Sequence, residues 1–348
     1  MINIKNKISD KTAKKFLNNL VSDKIGKNGK ILKNLINTIE KNRDTLSGQT
    51  SKYDDIFKEF LNYLISKINE VNLSDNLITM KPEQLNDFKV DLENKYGTIL
   101  NSNYKTIKYK KKEIFKTYRK LLREIFYYDE YDRWDAYLLA TDLNVNTCPY
   151  CNRIPTFTLG NSKDKGARPQ FDHFFDKERF PYLSLSIYNL VPSCSICNSS
   201  YKGTKEFNIT DHFHPYIKGF DCENIKFTLE VNNIEDILSV LDKSLKIPEY
   251  KIKFKCDPHK TLPNNINDLG LEELYNYDKS YTNDIIKKSL IYNKDYIESL
   301  YKEWEGTLFD SKDEIKNFVM GNYLNIEDIN NRPLGKLTKD ITEELRIF

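Results

Sequence analysis

Two cysteine pairs, Cys148/Cys151 and Cys194/Cys197, carry the first chemistry legible in this chain. Each has Cys-x-x-Cys spacing, and together they offer the closed tetrahedral thiolate set of a structural zinc ion. Pro149 and the small residues around Cys194 suit tight knuckle turns. In a chain with no sign of export, such pairs point to metal before disulfide. Cys222 and Cys256 stand alone, and free cysteine is buried so often that both are expected as small core residues.

More polar chemistry lies between and around the knuckles. Asp172 and His173 are adjacent, and Asn189 and Asn198 fall just before and just after the second pair of cysteines. Hard cations take oxygen ligands, so Asp172 and the side-chain oxygen of Asn198 supply two for Mg²⁺ or Mn²⁺. Such an ion would stabilise charge on a scissile phosphate. His173, neutral near pH 7, can take a proton from the attacking water. Asn189 can bond backbone or the His173 ring and so fix an orientation. Lys202 and Lys205 follow Cys197 where a short helix would offer them to backbone phosphates.

Read as CPYCNR, FDHFF and YNLVPSCSICNSSYKG, these segments resemble the HNH (ββα-metal) endonucleases, the branch with zinc knuckles in particular. The resemblance implies a β-hairpin carrying Asp172 and His173, then a helix carrying the last metal ligand. It implies Asp172 and Asn198 as ligands of a catalytic divalent ion, His173 as general base, Asn189 as support, and Cys148, Cys151, Cys194 and Cys197 on zinc. Asn198 stands where the family name has its last histidine, and Phe174–Lys177 lacks a proline often found there. The span from Tyr182 to Cys197, followed by His214-Pro215-Tyr216, is similar to HNH proteins of bacterial anti-phage systems, such as the nuclease subunit of Septu-like pairs. Those work beside an ATPase encoded next to them, which implies such a partner here.

Other elements must position these residues. Residues 1–140 read as a helical N-terminal domain. Ile31, Leu32, Leu35, Ile36 and Ile39 share a face, as do Phe57, Phe60, Leu61, Leu64 and Ile65. A helix is expected after Pro82 with Leu85, Phe88 and Leu92 inside, and another carrying Ile114, Phe115, Tyr118, Leu121, Leu122, Ile125 and Phe126. Residues 141–220 form the nuclease core, rich in Pro, Gly, Cys and His. In 221–348, strands are expected at Ile225–Val231 and Tyr250–Lys255, then helices in Leu271–Trp304, Ile315–Met320 and Leu337–Leu345. The expected fold class is α+β, mostly helical, with a central ββα-metal core stapled by a four-cysteine zinc site and flanked by helical regions.

A compact basic cluster runs from Lys105 to Arg123, with Lys111, Lys112 and Lys116 at its centre and Tyr104, Tyr109 and Tyr118 interleaved. It suits a phosphate-contacting surface, although a solvated helix face has the same look. Lys177 and Arg179 read as solvated loop charges, and His214 before Pro215 as a residue that caps a turn or packs in a loop. The net charge of +3 over 348 residues argues neither for nor against nucleic acid. No apolar run nears the ~20 residues of a membrane helix. The polar Met1–Asp10 segment lacks a signal peptide's apolar stretch, so a cytoplasmic location is expected. The reading is a metal-dependent endonuclease on nucleic acid, DNA favoured and RNA possible, acting in defence. The alternative is a zinc-dependent nucleic-acid-binding or scaffold protein without catalysis.

Overall fold

The computed structural model describes residues 1–21, 31–45, 52–109, 112–126, 136–160, 166–231 and 249–347. It is an α+β chain in which helices dominate, and among the described residues the strands pair in two-stranded sheets. Among the described residues, no helix is long and apolar enough to cross a membrane.

Helices α1 (Asp10–Val21), α2 (Ile31–Thr45), α3 (Lys52–Ile68) and α4 (Pro82–Leu100) open the chain. Pro82 begins α4 because its ring presets the helical φ and its missing N–H is not needed there. Leu85, Phe88, Leu92 and Tyr96 recur every three or four residues and are buried. Tyr96 meets Phe60 of α3, their ring centroids 5.1 Å apart, and Phe60 is fully enclosed.

The next segment departs from expectation. Asn103–Tyr109 and Lys112–Thr117 form an antiparallel hairpin, β1 and β2, and only Tyr118–Ile125 is helical, as α5. Ile114 and Phe115 therefore sit in a strand. The segment is crowded with β-branched and aromatic residues that favour a pleated backbone. Thr117 then starts the helix, its Oγ1 accepting from Lys120 N at 3.3 Å. Short α6 (Ala136–Leu143) follows.

The middle segment holds β3 (Gln170–His173), β4 (Leu190–Ser193) and a π-helical α7 (Ile196–Lys202). Its long β3–β4 connection is fastened to the segment between α3 and α4 and to α4 itself. Ile187 N donates to Ile78 O at 2.8 Å, Ser186 Oγ to Leu77 O at 2.7 Å, and Tyr182 Oη to Glu93 Oε1 at 3.0 Å.

Beyond it, β5 (Lys226–Val231) and β6 (Tyr250–Lys255) pair antiparallel. Six helices follow: α8 (Asn265–Asp268), α9 (Leu271–Tyr277), α10 (Ser280–Ile291), α11 (Lys294–Trp304), α12 (Lys312–Met320) and α13 (Gly335–Glu344). Helix α13 lies on β5, where Asp340 Oδ2 accepts from Phe227 N at 2.9 Å. The chain start is drawn inward too, with Ile2 N donating to Pro149 O and Phe220 N to Met1 O. Gly219 permits that approach, because a Cβ there would come within 2.5 Å of Asn3 N.

Candidate functional site

The four knuckle cysteines converge. Their Sγ atoms all lie within 4.8 Å of one another, all four residues are buried, and none is disulfide-bonded. Cys151 and Cys194 are 4.0 Å apart, close to the ~3.8 Å edge of a tetrahedron with ~2.3 Å Zn–S bonds. Arg153 N donates to Cys151 Sγ and Cys197 N to Cys194 Sγ, each at 3.4 Å. These bonds stabilise thiolates. Burial pushes the Cys148 thiol up, whereas hydrogen bonds from Cys148, Cys151 and Cys197 pull Cys194 down. Four buried sulfurs competing for protons are a donor set that a thiophilic cation completes, and their enclosure leaves no open position for a substrate. The residues fit a structural metal such as zinc. Among the described residues, no other group of three or more Cys, His, Asp and Glu side chains converges in this way.

The first knuckle is locked by distant residues. Asn152 takes a left-handed φ of 50°. Its side chain donates to Thr147 Oγ1 and Ile329 O and accepts from Lys336 N at 2.8 Å. Tyr275 Oη donates to Cys151 O at 2.5 Å. Sequence reasoning missed these clamps, which lie more than a hundred residues away. Cys222 and Cys256 are not core residues: the first is exposed and the second half-buried. Cys222 serves as an acceptor for Asn3 Nδ2, and the Cys256 thiol donates to Lys260 O, so neither needs burial to be satisfied.

Strand β3 pairs with β4 in the register Asp172 to Val191 and His173 to Leu190. Successive strand residues face opposite ways, and Asp172 and His173 find different surroundings. Asp172 is buried, accepting from Tyr150 Oη at 2.5 Å on Oδ2 and from Lys202 Nζ at 2.7 Å on Oδ1. Lys202 also donates to the His173 carbonyl. The π-helical winding of α7 ends by turning Lys202 inward, so it does not project toward a phosphate. His173 Nε2 lies 3.0 Å from Ser184 O. A carbonyl only accepts, so Nε2 carries the proton and Nδ1 the basic lone pair. Burial first, then the Lys177 charge, lower the imidazole pKa to about 3, so the ring is neutral near pH 7 but a weak base where it stands.

Asn189 is fully buried and bonds backbone. Its Oδ1 accepts from Phe175 N at 2.7 Å, and Nδ2 donates to Phe175 O and Leu183 O, both at 3.1 Å. Both N–H donors are spent on closing the β3–β4 connection. Asn198 is half-buried, with Nδ2 donating to Gln170 Oε1 at 3.0 Å. The oxygen set of Asp172 and Asn198 does not fit a hard cation in this arrangement, because both carboxylate oxygens are already engaged. Lys205 bonds Asp268 O at 2.8 Å. Lys116 pairs with Glu124 at 2.5 Å. Lys111 lies outside the described residues, as does the Lys112 side chain. His214 packs in its loop as expected, 4.1 Å from the Phe174 ring, with Nδ1 accepting from Tyr216 N.

Compared with protein-family models, curated proteins and solved structures, the chain matches none.

Proposed function

We propose that the chain is a zinc-stapled endonuclease of the HNH kind, hydrolysing phosphodiester bonds of nucleic acid, DNA before RNA. One observation supports this above the rest. Strand β3, strand β4 and helix α7 follow in that order, Asp172 and His173 close the first strand, and the cysteine cluster pins the turn from β4 into α7. The likeness to nuclease subunits of anti-phage pairs extends the proposal to a defence effector working with an ATPase encoded beside it.

In this reading His173 accepts the water proton at Nδ1, with the ring held by the bond from Nε2 to Ser184 O. Asn189 keeps the connection over the ring closed. Since the carboxylate of Asp172 is taken by Lys202 and Tyr150, no step is assigned to a divalent ion at Asp172 and Asn198. That same engagement favours the second reading, a zinc-dependent nucleic-acid-binding or scaffold protein without catalysis.

Single-turnover assays on duplex DNA, single-stranded DNA and structured RNA, with Mg²⁺, with Mn²⁺ and with chelator, separate the two. General-base catalysis is worth ~10²–10⁴-fold, so His173→Ala should slow cleavage by that order while leaving fold and binding intact. Cleavage at an unchanged rate in that variant refutes the role of His173. Binding without cleavage of any substrate selects the second reading.

A further inference from the structure

The cleft between α5 and the β3–β4 connection holds about 440 Å³ and has its own cast of charges. Lys116, Arg119, Lys120, Arg123 and Lys177 line it, against the acids Glu124 and Glu178. We infer that this cleft seats the phosphodiester backbone of a nucleic acid and delivers it to the edge of His173. The inference rests on the endonuclease reading for its purpose, and on the following geometry for its place.

Lys120 and Arg123 are three residues apart, about one turn along α5, and Lys116 stands just before them near the end of β2, so the three form a row along one wall. A row of cations suits an elongated polyanion, whereas a single small anion calls for donors converging on one point. Arg119 is committed inside the wall, held by Glu93 at 2.6 Å and by Asn101 at 2.9 Å. Lys120 is exposed and has no ion-pair partner among the described residues. Arg123 pairs with Glu178 at 2.7 Å, but both side chains are 40% exposed or more. Such surface pairs are weak, and a phosphate can take the guanidinium from the carboxylate. The opposite wall reaches the candidate site directly: Ser184 lines the cleft, and its carbonyl is the partner of His173 Nε2. Contacts of this type read the backbone and carry no base sequence.

The test is fluorescence anisotropy with the full chain in chelator, using a labelled 20-mer as single strand and as duplex over a series of salt concentrations. Lys120→Glu with Arg123→Glu should weaken binding at least tenfold and lower the salt slope by about two, as losing two phosphate contacts requires. Whichever of the two probes loses more identifies the form that the cleft takes. Lys294→Glu with Lys302→Glu makes the same charge change on α11 and should leave both readouts in place. Lys120→Gln with Arg123→Gln should give an intermediate loss, and thermal melts check that every variant is folded. Wild-type affinity and slope in the Glu variant overturn the inference, as does an equal loss in the α11 control. Equally tight binding of poly-glutamate would reassign the cleft to acidic protein and overturn it too. Cleft-dependent binding without cleavage defeats the endonuclease reading and leaves the cleft standing. Cleavage with binding indifferent to the cleft does the reverse.

Discussion

Lys202 Nζ stands 2.7 Å from Asp172 Oδ1, and the two side chains are 2% and 3% exposed. Tyr150 Oη holds the other carboxylate oxygen, so a buried charge pair joins the first knuckle, β3 and the end of α7. An ion pair at this depth is costly to break from one side, because the remaining charge has neither water nor partner.

Lys202→Met should therefore destabilise the fold by about 3–5 kcal/mol. Asp172→Asn combined with Lys202→Met should recover much of that loss, since no orphaned charge remains. Urea denaturation of the two single variants and the double supplies the coupling term. Strict additivity would mean that the pair does not hold these elements together.

Protein purified without added zinc should carry about one equivalent of metal, and Cys194→Ser should lose it. The unfolding should spread beyond the knuckles, because Asn152 and Tyr275 tie the first knuckle to residues 329–336 and to α9. Hydrogen exchange on the chelated protein should show lost protection around Ile329–Lys336 as well as around Cys148. Protection confined to its normal level there would show that the clamps stand without the metal.

His214 supplies a pH dependence with a definite sign. It is fully enclosed, and burial followed by the Lys202 charge lowers its pKa from 6.5 to about 3, outweighing the opposing hydrogen bond with the Tyr188 backbone. The unfolded chain binds the proton and the folded chain does not, so stability is complete above about pH 6.5 and falls as pH drops toward 3. Replacing His214 by Phe, which keeps a ring against Phe174, should flatten the fall in Tm across that window at constant zinc. His173 contributes in the same direction and leaves a residual slope. An unchanged pH profile in His214→Phe would rule out this source.

Asn189→Ala removes three hydrogen bonds to backbone groups of Phe175 and Leu183. A buried group left unsatisfied costs ~1–3 kcal/mol, so the variant should melt well below the wild type whatever its activity. A normal Tm with slowed cleavage would instead place Asn189 among the groups that act on the reaction.

Several of these relationships were legible from the residues alone. Paired Cys-x-x-Cys spacing announces a metal cluster because two residues of separation let both thiols of a turn face one point, and the four sulfurs do converge. Pro82, followed by Leu85, Phe88 and Leu92, spells the start and buried face of α4 in local terms. Alternation likewise placed β5 and β6. In Ile114–Phe126 local pattern misled, since apolar spacing near 3.6 also fits two strand residues followed by a short helix.

What the residues alone determined was thus the chemistry that short-range spacing can bring together: a thiolate cluster, a helix start, an aspartate and a histidine side by side. Tertiary structure alone decided which partners they meet. Lys202, thirty residues from Asp172, turns inward to neutralise it, although its sequence setting suggested a lysine open to phosphate. Asn330 and Lys336 reach back to the first knuckle across more than 180 residues. The cleft beside His173 exists only because the connection carrying Ser184 folds against α5. Contacts between remote segments depend on how whole surfaces pack, and no local periodicity encodes them.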